Sequence, residues 1–182
     1  MNPIIIIALV VLIVGFLWFL YNSIIVSKMR VSEALSQIDV QLKRRADLIP
    51  NLVETVKGYE KHEKAIFEKV AEERQNLVAA KGPAEKAKVN NQLSDTLKSI
   101  LAIAENYPDL KASQNFMELQ EEVSDTENKI AYARQFYNTT VLDYNTKLKV
   151  FPNVLFASLF HFTDAEFFGT TDKDKQPVNI KF

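Results

Sequence analysis

The sequence predicts an all-α protein: an N-terminal transmembrane helix continuing into an antiparallel bundle of long helices, with a short C-terminal helix and an extended tail. Three observations predict it. Ile4 to Leu20 reads IIIIALVVLIVGFLWFL, without a charge. From Val31 onward, apolar residues recur at alternating steps of four and three, the spacing of one helix face in a coiled-coil-like seam. The chain of 182 residues also has only 4 Gly, too few for the many tight turns of an all-β domain.

The anchor comes first. With Tyr21, Asn22 and Ser23 and then Ile24, Ile25 and Val26, the uncharged stretch reaches the ~20 residues a bilayer requires. Trp18 and Tyr21 stand at its C-terminal end, where amphipathic rings prefer the headgroup level, and are the expected membrane-interface residues. A cleaved signal peptide would carry Lys or Arg before the apolar run and a small-x-small pair after it; the first is missing and the second is unconvincing. A buried core helix would show a polar stripe, whereas this segment is apolar all round. Lys28, Arg30, Lys43, Arg44 and Arg45 all lie on the C-terminal flank, so the Lys/Arg excess predicts a bundle in the cytoplasm and an N-terminus outside. The expected division is residues 1–27 for the anchor and flank, 28–168 for the bundle and 169–182 for a polar tail.

In the bundle, one seam runs Val31, Leu35, Ile38, Leu42, Arg45, Ile49, Leu52, Val56, Tyr59, Glu63, Ile66, Val70, Glu73 and Leu77. It predicts one long helix ending near Lys81-Gly82-Pro83, where Gly caps a helix and Pro opens the next. Pro50 interrupts the pattern in Asp47-Leu48-Ile49-Pro50-Asn51-Leu52; its ring clashes with the Ala46 carbonyl and removes one backbone bond. Because the seam continues in register, a kink is expected rather than a break. A second helix carries Val89, Leu93, Leu97, Ile100, Ile103 and Tyr107 and stops before Pro108. Asp109 to Ala112 is expected as a loop, with Ser113 as N-cap. The third long helix carries Phe116, Leu119, Val123, Thr126, Ile130, Ala133, Tyr137, Val141, Tyr144, Leu148 and Phe151, and Pro152 breaks it. A short apolar helix, Val154 to Phe160, follows. Thr163-Asp-Ala-Glu166 fits a capping box for one further turn. Beyond Gly169 the chain is polar, and alternation in Val178, Ile180 and Phe182 suggests an extended docked end.

Several kinds of chemistry fail on residue type. The net charge is -1, from 22 basic and 23 acidic residues, so no global field attracts nucleic acid. Cysteine is absent, which removes thiol catalysis, zinc–thiolate sites and disulfides. His62-Glu63 begins like the zinc-protease motif, but Ile66 stands where the second imidazole belongs. The two histidines, His62 and His161, do not follow a Glu by three as a di-iron bundle requires. No glycine-rich loop cradles a phosphate, and no nucleophile elbow surrounds a Ser. Neither enzyme activity nor a cofactor or metal is expected. Lys43-Arg44-Arg45 lacks the wider basic face of a nucleic-acid site, and on a straight helix it stands roughly 24 Å from the membrane surface. A structural reading fits better. Arg45, Glu63 and Glu73 occupy core-seam positions, and a buried charge must be paired. Glu127 and Arg134, one heptad apart on the third helix, are natural partners for an inter-helix network; a ligand-binding polar site is the other reading.

Ser36-Gln-Ile-Asp-Val-Gln-Leu-Lys-Arg-Arg45, then Asp47-Leu-Ile-Pro-Asn-Leu-Val-Glu-Thr-Val-Lys-Gly-Tyr59 and His62-Glu63, resemble the signature of the LemA family. Tyr107-Pro-Asp-Leu-Lys-Ala112, Phe116, Thr126-Glu-Asn-Lys-Ile-Ala-Tyr-Ala-Arg134, Tyr137-Asn138, Tyr144-Asn145 and Phe151-Pro152 agree with it. The departures are small: Phe67 stands where Leu is usual, Glu73 precedes Arg74 where Ala is common, and Ala46 replaces a frequent His. The resemblance implies a bacterial inner (cytoplasmic) membrane protein with a helical-bundle domain and no established enzymatic activity. It also implies kinship with a protein of magnetotactic bacteria that takes part in forming magnetosome membranes, and with relatives encoded near a membrane zinc metalloprotease or envelope proteins. The candidate residues for a structural polar network or interaction are Arg44, Arg45, Asp47, Pro50, Asn51, Glu54, Glu63, Glu127 and Arg134. The expected role is structural, in membrane organisation or envelope homeostasis through self-assembly. The expected partners are the lipid bilayer, further copies of the chain and other envelope membrane proteins, with no nucleic acid. The alternative is an adaptor or sensor that binds another membrane protein, such as a membrane protease.

Overall fold

A computed structural model describes residues 3–58 and 64–169. Its elements are α1 (Pro3–Lys57), α2 (Lys64–Ala79), α3 (Gly82–Ala104), α4 (Pro108–Lys111), α5 (Gln114–Lys149) and α6 (Asn153–Leu159), with no strand among the described residues.

α1 is one helix of 55 residues that carries the apolar N-terminal run directly into the bundle. Its most apolar 18-residue window has a mean hydropathy of 3.1 and only 6% of it is buried, so the run is uncovered by protein and long enough to cross a bilayer. From Leu20 onward one stripe becomes buried: Ile24, Val31, Ile38, Leu42, Ile49, Leu52 and Val56. Fully burying an aliphatic side chain of this size contributes about 1.5–3 kcal/mol, so this stripe is what commits α1 to the bundle. α5 lies antiparallel along it. Arg44 meets Asp125 in the first half of α5, and Lys147 near its end reaches Ser23 and Ser27. α2 runs back along α1, with Arg74 at the level of Ala46. α3 then runs in the same direction as α1, bringing Lys86 to Asp39 and Asn90 to Arg45. The half distant from the apolar run is therefore built from α1, α2, α3 and α5. The near half has only α1 and α5, completed by α6 and the segment after it.

Four expectations need correction, and a fifth is met in part. The helix predicted to run to Lys81-Gly82-Pro83 is two helices: α1 ends at Lys57, Gly58 forms a turn, and α2 begins at Lys64. The seam keeps its register because Val56, Val70, Glu73 and Leu77 face the same core from both arms of a chain that doubles back. Asp109–Ala112 is not a loop; most of it is the one-turn helix α4, opened by Pro108, whose missing N–H costs nothing at a helix start. Ser113 holds the N-cap position of α5, but its side chain makes no capping bond. Phe151, expected at the end of the third seam, is 80% exposed. Thr163-Asp-Ala-Glu166 forms no helical turn and is extended.

The chain reaches that extended state through the end of α6. The Phe162 N–H donates to Ala157 O at 2.9 Å and the His161 N–H to Ser158 O at 3.3 Å, the paired bonds of a Schellman cap, with His161 at φ 56°. Between α2 and α3, Gly82 takes φ 76°, open only to glycine at low cost, and Pro83 sits in the first turn of α3. There the Lys81 N–H donates to the Glu85 carboxylate at 2.7 Å, satisfying a donor at the helix start. Tyr59, His62, Glu63 and the expected docked end at Val178–Phe182 lie outside the described residues.

Candidate functional site

The most prominent polar feature is a layer across three helices. Arg45 of α1 is 1% exposed, among the largest buried side chains of the bundle. Its Nη1 donates to Asn90 Oδ1 and Ser94 Oγ, both at 2.9 Å, and its Nη2 to Glu127 Oε2 at 2.5 Å. The Ser94 hydroxyl is also within reach of Glu127 Oε1 at 3.2 Å. Arg45 Nε has no partner among the described residues. Burial pushes the Arg45 guanidinium below the usual arginine range, while the charge and hydrogen bond of Glu127 pull it back up. Glu127 is different: its side chain is 46% exposed, so it faces the guanidinium with one side and water with the other.

The structure separates the other candidates. Arg44 pairs with Asp125 at 3.3 Å, and Lys43 with Asp47 at 2.8 Å, both at the surface. The hydrogen bond from Lys129 holds the Asp125 carboxyl below the ordinary carboxylate range, and the charges of Lys129 and Arg44 act in the same direction. Pro50, Asn51 and Glu54 line an open depression with Asn115, Glu118 and Glu122 of α5. Glu73 is buried on α2 beside Lys69 at 3.9 Å, and not beside Glu127 or Arg134. Arg134 does not join Arg45 either; its guanidinium lies over the Phe168 ring, 5.5 Å from the centroid. Trp18 is 69% exposed, and Tyr21 meets the ring of Phe160 at 5.3 Å. Glu63 lies outside the described residues. No three His, Cys, Asp or Glu side chains converge as a metal set would require among the described residues.

Pro50 has a specific consequence. α1 stays helical through it, so Ala46 O has lost the N–H that an ordinary residue 50 would donate. Arg74 of α2 fills the gap: its Nε donates to Ala46 O at 2.7 Å. The proline thus turns a backbone carbonyl into a docking point between α1 and α2. Arg74→Ala should destabilise the protein by about 1.5–3 kcal/mol, the worth of a hydrogen bond to a charged group. In a Pro50→Ala background, where residue 50 supplies its own N–H, Arg74→Ala should cost close to nothing, and Pro50→Ala alone should leave stability level or raise it. Denaturant unfolding of the four variants measures this; equal costs of Arg74→Ala in both backgrounds would refute the coupling.

A second polar feature was not predicted. Residues 162–168 run extended along α5 and are tied to it by two Tyr-Asn pairs. Asn145 exchanges two hydrogen bonds with the Ala165 backbone, at 2.8 and 2.9 Å, and Asn138 does the same with Phe168, at 2.8 and 3.2 Å. Tyr144 donates to Thr163 O and Tyr137 to Glu166 O. The spacings agree: seven helical residues rise about 10.5 Å, and three extended residues span about 10 Å. Burial raises both tyrosines above their ordinary range, with the nearby charges of Glu166 and Asp164 adding to it, so both hydroxyls keep the protons they donate. The strap delivers Phe168 into the core, 2% exposed, against Tyr137. Gly169 follows at φ 82°; a Cβ there would meet the Arg134 guanidinium at 2.8 Å.

The apolar seam of α3 does not reveal Asn90 and Ser94. Their i, i+4 spacing beside Leu93 and Leu97 is the signal that could have found them. The Tyr-Asn repeat at 137–138 and 144–145 was visible as a pattern, but its partner is backbone, which a sequence does not display.

A family model described as the LemA family matches residues 34–182. The chain is 26% identical over 149 residues to Protein LemA of Metamycoplasma hominis, covering 78% of this chain and 67% of that protein. It is 22% identical over 184 residues to Magnetosome protein MamQ of Magnetospirillum gryphiswaldense, covering 87% of this chain and 68% of the relative. Magnetosome protein MamQ 2 of Paramagnetospirillum magneticum is similar at 21% identity, with the same coverage. None of these names is an enzyme name.

Proposed function

Because the chain belongs to the LemA family, we propose that it is a membrane-anchored scaffold whose cytoplasmic bundle self-associates and thereby organises the membrane or supports the envelope. The coarse part of this reading, a membrane-associated protein of the LemA and MamQ type, rests on the apolar start of α1 and on the relatives. The observation that carries the rest is the continuity of α1, in which one unbroken helix joins the apolar run to the bundle core. A bundle held this way cannot swivel freely on a linker, so contacts between bundles impose an orientation on the spans. Two relatives named as magnetosome proteins are in keeping with a role at a membrane. The cationic flank after the span supports the cytoplasmic orientation and a cytoplasmic membrane.

The test is the full chain reconstituted in lipid vesicles and imaged, with its size in detergent measured in parallel. Homomeric particles on the vesicle surface are expected, and a strictly monomeric protein would replace the scaffold with an adaptor for another membrane protein. In cells, a reporter active only outside the cytoplasm, placed after Phe182, should be silent; a strong signal would reverse the orientation.

A further inference from the structure

We propose that the α5–α6 corner is a second membrane contact, dipping into the interfacial layer of the leaflet that the transmembrane segment of α1 leaves. The inference rests on the membrane-anchored reading above and adds a site to it. Val150, Phe151, Val154, Leu155, Leu159 and Phe160 are all exposed, six large apolar side chains around one turn and one short helix. A soluble face of this kind is uncommon and marks a covering partner.

The position of the corner identifies that partner as lipid. From Ile4, the helical rise to Tyr21 is about 26 Å, against a hydrocarbon core of about 30 Å. Tyr21 and the residues just beyond it therefore stand at the boundary between acyl chains and headgroups. The corner is fixed at that height. The Phe160 ring packs edge-on against Tyr21 at 5.3 Å, and Phe162 lies 6.1 Å from Tyr21. Lys147 donates to Ser23 and Ser27, pinning the end of α5 to the same level. Because α5 runs antiparallel to α1, its last residues beyond Lys147 head towards the membrane, and Phe160 just after α6 stands at the level of Tyr21. On α1, Leu17, Trp18 and Phe19, the turn just before Tyr21, are also exposed. Cations border the corner at headgroup height: Lys28, 5.9 Å over the Phe162 ring, with Arg30 and Lys147 nearby in sequence, while Lys149 is paired with Asp164 at 2.6 Å. Apolar residues towards the acyl chains with basic residues above them are the composition of an interfacial segment.

The chain has no cysteine, so single-cysteine variants label cleanly. Full-length Leu155→Cys, Phe151→Cys, Leu12→Cys and Val78→Cys would each carry an environment-sensitive fluorophore in vesicles of phosphatidylethanolamine and phosphatidylglycerol. Nitroxide-labelled lipids would serve as quenchers at shallow and deep positions. Leu12 reports the span, and Val78, exposed on α2, reports the distant half. Shallow quencher should reduce emission at 151 and 155 several-fold more than at 78, with the deep quencher acting most strongly at 12. Quenching at 151 and 155 no greater than at 78 would overturn the proposal. A blue-shifted but unquenched signal there would overturn it too, because protein would then cover the corner. Absence of quenching at 12 would overturn the membrane reading itself, a distinguishable failure.

Discussion

Glu127→Leu should cost the bundle more than Arg45→Met, although both break the same ion pair. Arg45 is sealed in the core, so removing Glu127 leaves a guanidinium with Asn90 and Ser94 for company but no compensating charge. Breaking a buried pair in that way costs about 3–5 kcal/mol. Removing Arg45 leaves Glu127, whose half-exposed carboxylate turns to water, together with Asn90 Oδ1 and Ser94 Oγ short of a donor; about 1–3 kcal/mol is expected. The double variant Arg45→Met, Glu127→Leu should recover much of the loss, since a matched apolar pair has no ion to desolvate. Denaturant unfolding of the full chain in one detergent gives the three values. Equal single-variant costs would contradict the asymmetry, and simple additivity in the double variant would contradict the partnership. Because the layer joins α1, α3 and α5, it should oppose slippage between them: an apolar seam tolerates sliding by a turn, whereas a guanidinium with three fixed acceptors does not.

The elements that the sequence made legible are those whose signal is periodic. The α1 and α5 stripes could be read because burial follows their four-and-three spacing over many turns, and Arg45 stood out as the charge inside such a stripe. Periodicity reports which face is covered and not which way the chain is heading. The fold-back at Gly58 therefore hid inside a continuous seam, and one expected helix proved to be two. The pairing of Arg45 with Glu127 was accessible because Glu127 sits beside Thr126, a polar position within the apolar seam of the facing helix. Arg134 went astray for a physical reason: its partner is the ring of Phe168, delivered by an extended segment with no periodicity. Backbone acceptors such as Ala46 O, exposed by Pro50 and taken by Arg74, are equally silent in a sequence, since every residue has one.

The strap gives the second large effect. Asn145→Ala removes both hydrogen bonds to Ala165, and Asn138→Ala both to Phe168, leaving partly buried backbone groups without partners. An orphaned group of this kind costs about 1–3 kcal/mol, so each substitution should cost about 2–4 kcal/mol of strap attachment. Much of that loss should be local. α1 and α5 bury their own stripe against each other, and the strap can open while they stay packed. Hydrogen exchange in the full chain should therefore show faster exchange at residues 163–168 in either variant, with the amides of Ile38 and Ile49 still protected. Asn145→Asp keeps an acceptor for the Ala165 N–H but sets a carboxylate oxygen against the Ala165 carbonyl, so it should behave like the alanine variant and not like the parent. Release of the strap also withdraws Phe168 from Tyr137 and Arg134, and frees the chain that follows α6. Unchanged exchange at 163–168 would mean the asparagines do not hold the strap. Uniform acceleration that reached α1 would mean the strap is part of the global core. The expected pattern lies between these, a detachable segment that fixes α6 beside Tyr21 only while both asparagines grip it.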